Sequence, residues 1–105
     1  MPLHSPEVPS EKLRIYNNKG EIKVCKGDLQ NKIHVRARMY PGLNITRTLG
    51  DILGHHIGVT SEPSVFIKDI EPEVDKFITI ATDGIWRHLG PQDIGEIVGE
   101  TFLEG

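Results

Sequence analysis

Cysteine occurs once in the 105 residues, at Cys25, so no disulfide can close within the chain and its fold is not stapled covalently. A lone cysteine makes a reducing setting, cytoplasmic or nuclear, the expectation. No apolar run approaches the length of a membrane span, and Met1-Pro2-Leu3-His4-Ser5-Pro6 lacks the positive start and apolar block of a secretory signal. Positive charge is in deficit. Twelve Lys and Arg face 15 Asp and Glu, a formal net charge of −3, so neither nucleic acid nor a membrane is an expected partner. Also missing are the G-x-x-x-x-G-K-[ST] loop that cradles phosphates and the G-x-S-x-G nucleophile elbow. His55-His56 has no Cys or His companion at zinc-finger spacing and reads as a loop pair. Apolar residues make up only 37% of the chain, and a chain this short buries about 60–65% of its unfolded surface. A modest core must therefore carry one domain.

What is present is a mixed α and β pattern. Pro2, Pro6 and Pro9 disfavour helix in the residues before them, so residues 1–9 read as an irregular leader to a domain over residues 10–105. Ser10 suits an N-cap, residues 11–18 can wind two turns, and Gly20 offers a stop. Residues 21–26 and 32–38 alternate, which places Ile22 and Val24, and Ile33, Val35 and Ala37, on one face of two strands joined by a hairpin loop at 27–31. Residues 64–70 and 76–82 read as two further strands. The apolar run Phe77, Ile78, Ile80 and Ala81 suits burial on both faces, and these strands are expected to form the core. Gly90-Pro91 signals a helix start, followed by Ile94, Ile97, Val98 and Phe102 at helical spacing. Trp86 reads as a core aromatic packed on that helix, its indole N–H seeking one acceptor.

The segment richest in chemistry is Phe77-Ile78-Thr79-Ile80-Ala81-Thr82-Asp83-Gly84-Ile85-Trp86, where an apolar run ends in an acid and a glycine. A rigid strand end fixes a carboxylate, and the glycine lets the backbone turn sharply beside it, which suits a hard divalent cation. From the local pattern alone, an ordinary Asp-Gly turn is the favoured reading.

Asp83-Gly84-Ile85-Trp86 resembles the D-G-[LIV]-W motif of the protein phosphatase 2C family of metal-dependent Ser/Thr phosphatases. The stretch Pro41-Gly42-Leu43-Asn44-Ile45-Thr46-Arg47-Thr48-Leu49-Gly50-Asp51 is similar to that family's L-x-[VM]-[ST]-R-[AS]-[LIF]-G-D segment. Ser61-Glu62-Pro63-Ser64-Val65 is similar to its [AS]-x-P-[ED]-[VI] segment. Leu3-His4-Ser5-Pro6 with Glu11, Arg14, Ile15 and Gly20-Glu21-Ile22 resembles its D-H-x-P…E…R-I…G-G-x-[VI] region, and Gly90-Pro91-Gln92-Asp93-Ile94 its following helix. The family's R-x-x-x-[EM]-D element, D-G-H-G-G loop and late D-N-[IV]-T segment have no counterpart among the 105 residues. The resemblance thus implies an α+β fold: an antiparallel sheet with packed helices, part of the family's α-β-β-α sandwich.

It also implies a function: hydrolysis of phosphoserine or phosphothreonine in a phosphoprotein substrate by a water activated between two Mn²⁺ or Mg²⁺ ions. Closely spaced cations need several carboxylates to neutralise them, and the bound water then ionises near neutral pH. By the motif match Asp83 is a metal ligand, with Gly84 and Asp51 near the cleft. One carboxylate cannot assemble a two-ion centre, so the isolated chain is expected to be inactive. The alternative is a non-catalytic, pseudophosphatase-like interaction module, which the missing motifs and Arg87, standing where the family usually has an acid, would allow.

For Asp51, capping the turn at Ile52-Leu53 is favoured over direct metal ligation, and for Arg47 a buried ion pair is favoured over facing an anion. Lys32, His34, Arg36 and Arg38 share one strand face, read as a solvated edge that could alternatively meet a phosphorylated or acidic partner. An uncovered sheet edge is expected to invite self-association or disorder near residues 1–9 and 50–62.

Overall fold

Proline decides where the first helix begins. In the computed structural model, which describes residues 4–27 and 29–104 with nothing said of the Leu103 side chain, α1 spans Pro9–Asn17. Its N-cap is Val8, not Ser10, because Pro9 has no N–H to lose and its fixed φ is already helical. The helix ends before Gly20: Asn18 caps it, its Nδ2 donating to the Arg14 carbonyl at 2.8 Å, and Lys19 takes a left-handed φ of 66°. Leu3, within one quoted motif, and Asp28, within the 27–31 loop, lie outside the described residues.

The chain divides into two compact units, residues 1–66 and 67–105. In the first, β1 (Gly20–Lys23), β2 (Lys32–Val35) and β3 (Pro41–Leu43) form an antiparallel sheet in sequence order. Gly20 pairs with Val35, Glu21 with His34 and Ile22 with Ile33. Helices and one antiparallel sheet make this an α+β fold.

The expected strands 21–26 and 32–38 shorten to these cores. Beyond Val35 the chain turns, with Ala37 at φ 60°. Val24 and Ala37 are consequently exposed, whereas His34, expected on a solvated face, is buried. Its Nδ1 lies 3.1 Å from the Lys32 carbonyl and its Nε2 lies 3.7 Å from Cys25 Sγ, contacts that give the ring polar partners in place of water.

The core of this unit is Ile15 from α1, Ile33 from β2, and Ile57 and Val59 from the chain after α2 (Ile52–His55), with Ile22, Val35 and Leu43 packed against it. Each fully buried aliphatic side chain contributes roughly 1.5–3 kcal/mol. Two glycines permit the close approach. A Cβ on Gly20 would lie 2.6 Å from Ile15 Cγ2, and one on Gly58, at φ +97°, would lie 2.8 Å from the Arg14 carbonyl oxygen. Residues 50–62, expected to be partly disordered, instead supply two of the four buried core side chains.

The second unit contains a turn at 71–75, α3 (Asp83–Trp86) and α4 (Pro91–Glu104). Asp75 pins the turn: Oδ2 accepts the Glu71 N–H at 2.9 Å and pairs with Lys68. Those contacts, the backbone hydrogen bond first, hold its carboxyl below the usual range. The Asp93 carboxylate accepts the Gly90 N–H at 2.7 Å just before α4.

The two strands expected at 64–70 and 76–82 are not formed, and they do not build the core. Among the described residues neither run has a ladder neighbour, and Ile67, Ile70, Ile78 and Ile80 are largely exposed. Alternation and β-branching prepare side chains for a pleated surface, but a strand also needs a second backbone to take its N–H and C=O groups. Trp86 is likewise half-exposed and not a core residue, although its indole N–H finds the Ala81 carbonyl at 2.8 Å.

Candidate functional site

Asp83 opens α3, the single turn made by the Asp-Gly-Ile-Trp motif. Gly84 has ordinary space around it, with Thr82 Oγ1 3.7 Å from where a Cβ would stand. The Asp83 carboxylate reaches one turn ahead, its Oδ2 accepting from Arg87 Nη2 at 2.8 Å. Both side chains are about 70% exposed, 73% for Asp83 and 72% for Arg87, so this is a solvated i,i+4 pair. The arginine that departs from the family pattern is therefore the partner of the motif's own acid.

Asp51 stands at the N-cap of α2 in a left-handed conformation, φ 47° and ψ 51°, directly after Gly50 at φ 77°. Its side chain makes no capping hydrogen bond, which corrects the capping role read from sequence. The left-handed backbone is the reason: an N-cap reaches the N–H groups ahead of it from an extended conformation.

The densest polar constellation lies elsewhere. Glu11, almost fully buried on α1, accepts from Arg47 through Nε at 2.8 Å and Nη2 at 2.6 Å, and pairs with Arg14 on its own helix. Burial raises the Glu11 pKa, but the hydrogen bonds and charges of Arg47 and Arg14 outweigh it and hold the carboxyl below its usual range. Arg47 Nη1 donates onward to the Glu62 carbonyl at 2.9 Å and lies 3.2 Å from Ser64 Oγ. His4 Nε2 meets the same hydroxyl at 2.9 Å. Backbone bonds lace these segments together: Thr46 N–H donates to the His4 carbonyl at 3.0 Å and Thr48 N–H to the Thr60 carbonyl at 3.0 Å. Arg47 thus takes the ion-pair role expected of it. A shallow cavity of about 280 Å³ opens between His4, Arg47, Thr48 and residues 61–64.

Arg47 is legible in the sequence as an ion-pair residue; its acid, Glu11, is not. Glu11 is the only acidic residue on the helix from Pro9 to Asn17, and its place four residues before Ile15, on the same helix face, is the available signal.

These residues do not fit a two-ion centre. Among the described residues no three His, Cys, Asp or Glu side chains converge on one point, Asp83 is paired with a cation, and Glu11 is enclosed by two.

The model of the family described as protein phosphatase 2C matches residues 2–104. Similar curated proteins include two from Arabidopsis thaliana named probable protein phosphatase 2C 61, 30% identical over 94% of this chain, and probable protein phosphatase 2C 73, 35% identical over 91%. A third, probable protein phosphatase 2C 38 from Oryza sativa subsp. japonica, is 34% identical over 94%. The chain spans 30%, 26% and 22% of the lengths of these three relatives. No solved structure gives a significant match.

Proposed function

Because this chain belongs to the protein phosphatase 2C family, we propose that it is part of a metal-dependent phosphatase acting on phosphoserine and phosphothreonine in proteins. The match across residues 2–104 carries that reading. Within it, Asp83 is the carboxylate these residues offer to a Mn²⁺ or Mg²⁺ centre, since the motif places it exposed at the start of a turn. The Glu11–Arg47 cluster is scaffold: it anchors the chain three residues before Gly50, and both Gly50 and Asp51 are exposed.

A two-ion centre needs carboxylates that the described residues do not bring together, so the isolated chain does not turn over. The direct test offers a phosphopeptide and Mn²⁺ to the pure 105-residue protein. Phosphate release above background is the result that contradicts it. Paramagnetic broadening by Mn²⁺ should centre on the amides of Asp83 and Gly84 and sharpen again in Asp83→Asn. Broadening that ignores this substitution removes Asp83 from the proposal.

The Asp83–Arg87 pair supports a second reading, a non-catalytic interaction module, because the guanidinium competes with any cation for the carboxylate. Replacing Arg87 by alanine should strengthen Mn²⁺ broadening at Asp83. An unchanged titration would mean that the pair does not oppose metal. The apolar side chains of Ile67, Ile78 and Ile80 also support self-association, since they project from runs that lack ladder partners.

A further inference from the structure

Half of the chain's 12 lysines and arginines fall within residues 19–38, against two acids, although the chain as a whole is negative at −3. Three of these cations stand on neighbouring turns at one end of the sheet. Arg36 N–H donates to the Lys19 carbonyl at 3.3 Å, which brings the α1–β1 turn beside the turn that follows β2. Arg38 lies two residues on, and Lys19, Arg36 and Arg38 are all exposed. Among the described residues none of the three side chains has a hydrogen-bond or ion-pair partner.

The backbone beneath them is fixed. Arg38 N–H donates to the Val35 carbonyl at 2.9 Å, Val35 N–H to the Tyr40 carbonyl at 2.8 Å, and Lys23 Nζ to the Arg38 carbonyl at 2.9 Å. The one described acid nearby, Glu21, is already engaged: Oε1 lies 2.8 Å from Lys23 Nζ, and Oε2 accepts the Ala37 N–H at 3.3 Å. The turn therefore uses its carboxylate to hold its own backbone and leaves two guanidiniums without a counter-ion. Exposed Met39 and Tyr40 border them with apolar surface.

We propose that Lys19, Arg36 and Arg38, flanked by Met39 and Tyr40, form a docking surface for an acidic, phosphate-bearing peptide segment. Each guanidinium fork matches the planar, two-oxygen edge of a carboxylate or phosphoryl group. Three cations suit one or two such groups. Nucleic-acid binders usually neutralise about 6–10 phosphates, more than this patch can meet. The proposal rests on the phosphatase reading and deepens it by assigning a substrate contact remote from the reacting phosphoryl group.

The test measures fluorescence anisotropy of a labelled short peptide carrying one phosphoserine followed by glutamates, against the full 105-residue chain. Binding should weaken between about 50 and about 300 mM salt, as screening requires. The double substitution Arg36→Gln and Arg38→Gln should lower affinity about tenfold or more, whereas Lys12→Gln on α1 leaves it within about twofold. Arg36→Lys with Arg38→Lys should fall between, since charge is kept and the fork is lost. If the double variant fails to fold by circular dichroism, amide shifts in the wild-type chain decide: the peptide must move Lys19 and residues 36–40.

The proposal is overturned by a double variant that binds as wild type or by shifts confined to other residues. Tighter binding of phosphatidylserine vesicles or single-stranded DNA than of the peptide also overturns it. Binding is read without turnover, so loss of binding in the double variant tests this surface, whereas the Mn²⁺ titration at Asp83 tests the phosphatase reading separately.

Discussion

Replacing Glu11 by glutamine keeps the shape of the side chain and removes its charge. Arg47 loses a carboxylate that takes two of its N–H groups, Arg14 loses its ion-pair partner, and the glutamine amide has nowhere to point its own donors except at guanidiniums. Charge-assisted hydrogen bonds contribute about 1.5–3 kcal/mol each, and breaking a fully buried pair costs about 3–5 kcal/mol. Glu11 is 2% exposed but Arg47 and Arg14 retain 22% and 28% of their surface, so water recovers part of the loss. A cost of about 2–3 kcal/mol at pH 7 is expected, a large fraction of the stability of a small domain.

The sign with pH follows from the lowered carboxyl. A group whose folded pKa lies below its unfolded value contributes fully above the unfolded value and loses that contribution as pH falls through the folded one. For Glu11 the ordinary value is 4.5, so the wild-type advantage should be complete at pH 6–7 and shrink progressively below pH 4.5. Urea unfolding followed by amide signals of Ile15 and Ile33 gives the comparison directly. A difference under about 1 kcal/mol at neutral pH, or one that persists undiminished in acid, would refute the assignment of Glu11 as the charged centre of this cluster.

Two further outcomes follow from the packing. Gly58→Ala should destabilise the first unit by about 2 kcal/mol or more in the same urea assay, because φ +97° disfavours alanine and its Cβ would collide with Arg14 and Ile15 backbone; a loss under about 0.5 kcal/mol would show that the loop can withdraw. Ile80→Lys should reduce self-association in sedimentation equilibrium, since it places a charge on an exposed apolar run; unchanged mass distributions at all concentrations would exclude that run as the contact.

The readable parts of this sequence were those governed by local chemistry. Pro9 and the following residues give a helix, Gly90-Pro91 starts another, and the alternation around Ile22 and Ile33 gives an antiparallel pair. Residues 64–70 and 76–82 carry a strand pattern without forming strands for a non-local reason: periodicity specifies how a strand would present its side chains, not whether a neighbour exists. The Ile57 and Val59 contribution was hidden because they follow a four-residue helix in a glycine-rich connection, where burial depends on Gly58 touching α1. At the candidate site, Arg47 was legible as an ion-pair residue, but its acid lies 36 residues away, a separation no local pattern spans. Asp51 has the residue type of a cap, but its left-handed backbone keeps the side chain from capping.

Arg14 has consequences for how the first unit comes apart. From one helix it donates to the carbonyls of Gly58 and Thr46, so two stretches distant in sequence share a single latch. Detaching α1 releases both stretches and uncovers Ile15 in the same event, while neither stretch can leave without stripping partners from the helix. Helix and loops accordingly open as one cooperative block, and proteolytic access near residue 58 is set by the free energy of undocking α1 rather than by loop length.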